Sequence, residues 1–480
     1  MLDFTDLPKQ WLIAPALPDE AVAGKRDAFA GWQIAAAQAV PVLRLCDAEG
    51  TEQGRLIGWV IDGAAFHRAD ATLRLAPGET PEHRFARLAG RFVMLWRDAA
   101  GGLRLREDPS GGLPAIHAPE LRAVGSTVTA LDQLGALPVD PEIEAIFDFP
   151  ARRGFLPFGL TPRRGAYRLM PSHELSLADF TTARIWPEAA PARLPPEAVA
   201  APLDEAAALL RANMAALLGQ GETVLYLSGG YDSRLILAAA RGMTGALRAE
   251  TLGASNTLDA HLASRLAAQA GIAHRCVAVA LDEGEAVAPW LRRAGRMVND
   301  HVSTMGHTAA AINPGTQPLS GTGADIVKGT PFKVTDAAAE PPDTTKLLHA
   351  LYLPDHPVLR REAKAWLDGL GAVDMVGALD LARMEQRHGG WAGAAIYGHP
   401  VPRPSMQPFS GRRLYEIAMA MPLEYRLRNG FYDDLMARLW PELGQLPVNR
   451  STGAARLRFW REELRALVPD RVKRAIKPLR

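Results

Sequence analysis

The chemistry in this chain is concentrated at Ser228-Gly229-Gly230-Tyr231-Asp232-Ser233. Two adjacent glycines let the backbone turn sharply and approach a ligand closely, so that successive N–H groups form an anion-binding nest. The apolar run at 224–228, which includes Leu227, reads as a buried strand, and residues from Leu235 to Arg241 read as a helix. The positive end of that helix is aimed at the same spot, where phosphate is favoured. Ser228 and Ser233 add hydroxyl donors, and Asp232 is suited to hold the magnesium that accompanies a polyphosphate. No Gly-Lys-Ser/Thr follows the glycines, so this is not a Walker loop. A plain strand-to-helix turn with a capping Asp-Ser shares the composition. Five specified residues at fixed spacing between a strand and a helix favour pyrophosphate binding.

These residues resemble the pyrophosphate loop of the ATP pyrophosphatase families, which cleave ATP between the alpha and beta phosphates. A second constellation, Pro318-Leu319-Ser320-Gly321-Thr322-Gly323-Ala324-Asp325, is again an apolar approach to a glycine-rich turn with one acid. It resembles the Ser-Gly-x-Gly-Ala-Asp segment of asparagine synthetase-like enzymes. Looser likenesses to that family run in the same order along the chain, at 90–111, 166–173 and 407–416. The resemblance implies that Asp232 and Asp325 share Mg2+ on ATP, that Ser320 and Gly321 join the nucleotide site, and that Leu252, ending the next strand, lines the adenine pocket.

Three departures from the family pattern refine the expectation. Glutamine-hydrolysing members carry a cysteine after the initiator Met, whereas this chain has Leu2, so no glutaminase activity is expected. The variable residue of the second loop is Thr322, neither an acid nor a tyrosine. The family's phosphate-facing lysine falls near 449–453, where none occurs; Arg450, Lys473 or Lys477 are the substitutes at hand. The chain is therefore similar to the branch that contains beta-lactam synthetase and lasso-peptide cyclases. That likeness implies an AMP- and pyrophosphate-forming amide ligase that adenylates a small-molecule or peptide carboxylate for attack by an amine. Glu385 or His388 is then the candidate base, with Thr322 and Arg450 beside the reacting groups. A degenerate ATP-binding scaffold and a glutamine-independent asparagine synthetase are the alternatives. His301 and His307 have no metal-ligand spacing.

The elements that must position these residues divide the chain in two. Residues 31–185 read as strands and turns, with a hairpin pairing 91–96 with 103–106. The proline-rich stretch holding Pro187, Pro191, Pro195 and Pro196 reads as a linker. Beyond it, Leu203, Ala207, Leu210, Met214 and Leu217 mark an amphipathic helix, and strands then alternate with helices. The expected fold is α/β. The resemblance implies that residues 1–190 are a degenerate Ntn-type α/β/β/α sandwich; the alternating strands and helices of residues 200–480 imply a doubly wound parallel sheet, which the resemblance identifies as an ATP pyrophosphatase domain with a helical extension. Residues 331–345 read as an irregular loop, and the basic segment 456–480 as a solvated helix face. A net charge of +1 gives no electrostatic case for nucleic acid or membrane, and two distant cysteines give no disulfide framework. Cytoplasmic location is the default expectation.

Overall fold

The computed structural model describes residues 1–149, 151–188, 192–277, 287–300, 315–328 and 340–467. His301, His307, Lys473, Lys477 and most of the 331–345 loop lie outside the described residues. The architecture is mixed α/β.

The first half contains an eight-stranded and a six-stranded sheet. The predicted hairpin is present as Ala89–Arg97 paired with Leu103–Glu107, with Trp96 opposite Arg104. Strand Ala89–Arg97 is buried on both faces, and its side chains alternate strictly. Val93 and Leu95 join the main core, which also holds Trp11, Ile13 and Ile34 of the other sheet. Phe92, Met94 and Trp96 face away, into a second cluster closed by Phe85 of helix Pro81–Arg87. This period of two is what a sheet covered on both sides requires. Leu2 is fully buried and pairs with Ala21, so position 2 is a core residue here.

The second half opens with helix Ala200–Leu218, in which all five residues of the predicted stripe are buried. A four-stranded parallel sheet follows, in the order His274–Val277, Leu247–Leu252, Thr223–Tyr226, Gln317–Leu319. Helix Leu258–Ala270 stops at Gly271 in the left-handed conformation (φ 67°), as its glycine predicts. The strand order reverses between Thr223–Tyr226 and Gln317–Leu319. A crevice at the carboxyl ends of the strands opens where such an order reverses, and ligands bind there.

One hydrophobic cluster runs through both halves. Lys9, only 1% exposed, reaches from the first half to the carbonyls of His399 and Val401, at 2.5 Å each. Among the described residues no helix is long and apolar enough to cross a membrane.

Candidate active site

Strand Thr223–Tyr226 is held on both sides by parallel neighbours, and Leu227 ends it. The Leu227 N–H donates to the Glu250 carbonyl (2.8 Å), and its own carbonyl accepts the Thr251 hydroxyl (2.8 Å). The loop then closes on its own side chains. The Ser228 N–H donates to Ser233 Oγ (3.0 Å), and the Gly230 N–H to Ser228 Oγ (3.2 Å). The Gly229 N–H donates to the Asp259 carboxylate (2.9 Å), so an anion already sits on the nest.

The glycines act through space, not through turning. Neither Gly229 nor Gly230 has positive φ; Gly230 lies at φ −79°, ψ −178°. A Cβ on Gly229 would come within 2.6 Å of Leu262. A Cβ on Gly230 would meet Ser228 Oγ at 3.3 Å and Asn449 Oδ1 at 3.7 Å, so its surroundings are tight but less so than those of Gly229. The helix starts at Tyr231, four residues earlier than the apolar pattern predicts, because the loop residues themselves form its first turn. No side chain caps it, so its leading N–H groups remain for a ligand.

The second loop leaves the adjacent strand and packs directly on the first. A Cβ on Gly321 would lie 2.5 Å from Ser233 N and 2.7 Å from Asp232 C, so only glycine allows the two loops to touch. Gly323 has φ 101°, a left-handed position that disfavours other residues. The Ser320 N–H is tied to the Met406 carbonyl (2.9 Å). The short 3-10 helix Ala324–Lys328 then stacks Asp325 and Lys328, three residues apart, on one face.

The two carboxylates are thereby placed among cations. Asp232 accepts from Lys328 Nζ (2.9 Å) and from the Tyr432 hydroxyl. Asp325 is bound by Arg383 and by His388 Nε2 (2.7 Å). Burial alone would raise the Asp325 carboxyl, but His388 and Arg383, with Lys328 behind them, hold it well below the usual carboxylate range. Burial, with Asp232 alongside, pushes the Tyr432 phenol well above its usual range.

Arg383 and His388 are presented together by a π-helix, Arg383–Gly393. Its hydrogen bonds run from i to i+5, so residues five apart share a face. That geometry separates the two candidate bases. His388 reaches Asp325, whereas Glu385 is fully buried elsewhere, bound by Arg184 (2.6 and 3.0 Å) and Trp366 Nε1 (2.7 Å). The sequence reading of Glu385 as the base is not what the structure builds, because its carboxylate is committed to Arg184 and Trp366.

The remaining expected residues fall as follows. The Asn449 N–H donates to the Gly229 carbonyl (3.2 Å), which lays the 447–450 segment across the first loop. Its neighbour Arg450 is exposed and close enough to Tyr231 for its charge to be felt by that phenol. Thr322 is half-buried and lines a cavity of about 40 Å³ shared with Tyr226, Ser320 and, from the first half, Lys9 and Arg91. Leu252 ends its strand at the same edge of the sheet, before Gly253 at φ 112°. Lys328, Arg383, Asp259 and Tyr432 escape the sequence reading. Only Lys328 carried a local signal, its three-residue spacing from Asp325.

Residues 205–388 match the asparagine synthase family model. The match spans less than half of the chain and supports an asparagine synthetase-like family, whose members are ATP-using ligases. It contains both glycine-rich loops and the start of the π-helix, and ends before the segment that lies over the first loop. No curated protein matches the chain.

Proposed function

We propose that this protein is an AMP- and pyrophosphate-forming amide ligase that adenylates a carboxylate for attack by an amine. The observation that carries this reading is the contact between the two glycine-rich loops at the point where the strand order reverses, with Gly321 against Asp232 and Ser233. The residues fit ATP. The uncapped first turn offers N–H donors to phosphate, and Lys328 and Arg450 add positive charge. Mg2+ is typically held by one or two carboxylates together with phosphate oxygens. Asp232 and Asp325 would hold it here, and it would neutralise charge on the departing pyrophosphate. Lys328 and Arg383, paired with these carboxylates, balance their charge and stand ready to turn to phosphate oxygens. Of the two candidate bases, His388 is the proton acceptor in this reading, with Asp325 orienting its ring. Leu2 argues for an amine supplied without glutamine hydrolysis.

The test is isotopic. With an oxygen-18-labelled carboxylate substrate, label passes to the phosphorus of AMP. Label in orthophosphate would refute adenylation. A binding-only reading has one observation in its favour: both carboxylates are already paired with the chain's own cations, Lys328 and Arg383. ATP binding without pyrophosphate release across a broad panel of carboxylates would favour it.

A further inference from the structure

We propose that helix Ala455–Leu467 is a docking element for an anionic membrane surface. From the sequence this segment reads as basic and solvated, and the structure gives it two apolar sides. On one side Phe459 is 2% exposed, packs with Leu258 and Leu262, and sets its ring 5.3 Å from that of His261. That contact anchors the helix to the fold. On the other side stand Leu457, Trp460 and Leu464, three and four residues apart and therefore on one face of a helix. They are 82%, 48% and 51% exposed. Eight large apolar residues are exposed among the described residues, and these three are the ones that form a helical stripe. Singly exposed apolar residues need no explanation, whereas a grouped set marks a contact surface.

The charge around the stripe is positive. Arg456 and Arg458 flank Leu457 and are exposed. Residues 456–480 contain nine Arg or Lys against three Asp or Glu, a local excess that the net charge of +1 for the whole chain conceals. Leucine and tryptophan on one side of a helix, with arginines about them, is the composition of helices that lie in the headgroup layer of a bilayer. The arginines are drawn to an anionic leaflet, and the indole sits well where one end is apolar and the other wet.

Size decides between a bilayer and a protein partner. A stable protein interface buries roughly 800 Å² on each side, more than three side chains supply. A bilayer demands no matching surface. Each apolar group that leaves water for the acyl boundary adds to binding, and the arginines add to it electrostatically.

The experiment is co-sedimentation of the full chain with vesicles, either of phosphatidylcholine alone or of equal parts phosphatidylcholine and phosphatidylglycerol. It uses no ATP, so its outcome is independent of the ligase reading. Binding to the mixed vesicles should be at least about tenfold tighter than to phosphatidylcholine, and should weaken as salt rises. Leu457→Glu with Leu464→Glu should weaken it by at least about tenfold. Both residues are exposed, so the thermal midpoint should stay within about 2 °C. No binding to the mixed vesicles, equal binding to both kinds, or undiminished binding by the double variant would each overturn the proposal. Self-association of the wild type that the double variant abolishes would assign the stripe to a second copy of the chain and overturn it too. If the double variant does not fold, Leu457→Glu alone, at the most exposed of the three, replaces it: weakened binding is expected, and unchanged binding would overturn the proposal equally.

Discussion

Lys328 and Asp232 form the ion pair nearest to the proposed chemistry, with the side chain of each about one-third exposed. Pairs of that exposure contribute little to stability, so the pair is better explained by function. Lys328→Met should therefore leave the thermal midpoint within about 2 °C and yet lower ATP affinity by about tenfold. Asp232→Asn keeps the backbone of the loop and removes charge, so it should weaken Mg-ATP binding by a similar factor. Unchanged affinity in both variants would remove these residues from the nucleotide site. Asp325→Asn should be less than additive with Asp232→Asn, since the two would serve one metal. Full additivity would separate them. At this scale the sequence was legible where the geometry is local. The six residues from Ser228 to Ser233, with Gly321 and Asp325, could be read from type and spacing. Tyr432 could not, because it meets Asp232 from 200 positions away and nothing in its own neighbourhood marks it.

The element that most shapes the site is the π-helix. A sequence does not reveal a shift from i+4 to i+5 hydrogen bonding. That shift sends His388 to Asp325 and Glu385 to Arg184. Arg184→Met would leave Glu385 buried and unpaired, at a cost of about 3–5 kcal/mol. The double variant R184M/E385M should recover most of that loss, as apolar replacement of a buried pair usually does. Urea denaturation measures both, and equal instability of the single and double variants would contradict this account. His388→Asn should instead cut turnover with little loss of stability, so the two faces of one helix are separable by experiment. The same contrast applies to the loops. Gly321→Ala forces a Cβ against Ser233 N at 2.5 Å and should cost about 1–3 kcal/mol while opening the site. Gly230→Ala meets a side-chain hydroxyl, Ser228 Oγ at 3.3 Å, rather than backbone, and should cost less than Gly321→Ala.

At the scale of the whole molecule, acid should act through buried histidines. Burial pushes His117 and His173 to about 4 and His399 to about 3. In the unfolded chain each titrates near 6.5 and binds a proton that the folded protein refuses. The unfolded state therefore holds more protons between about pH 4 and 6.5, and stability rises with pH across that window. Each such histidine contributes up to about 1.4 kcal/mol per pH unit there. Comparing wild type with His117→Phe isolates one of them, since other groups cancel. The variant's stability should fall less steeply as pH drops from about 6.5 to 4. An identical slope would show that His117 titrates normally in the fold. Alternation and turn signals gave away the strand-rich first half and the alternating second half. The depth of their union was hidden, because contacts between distant segments leave no periodic trace.

The ammonium of Lys9, sealed beneath the His399 and Val401 carbonyls, has a consequence for where the chain can be cut. Severing it in the proline-rich stretch and making the pieces apart would uncover a shared core, two carbonyls and the partners of Glu385 and Gln386. Neither piece is then a self-sufficient body, and soluble material is expected only when both are made together.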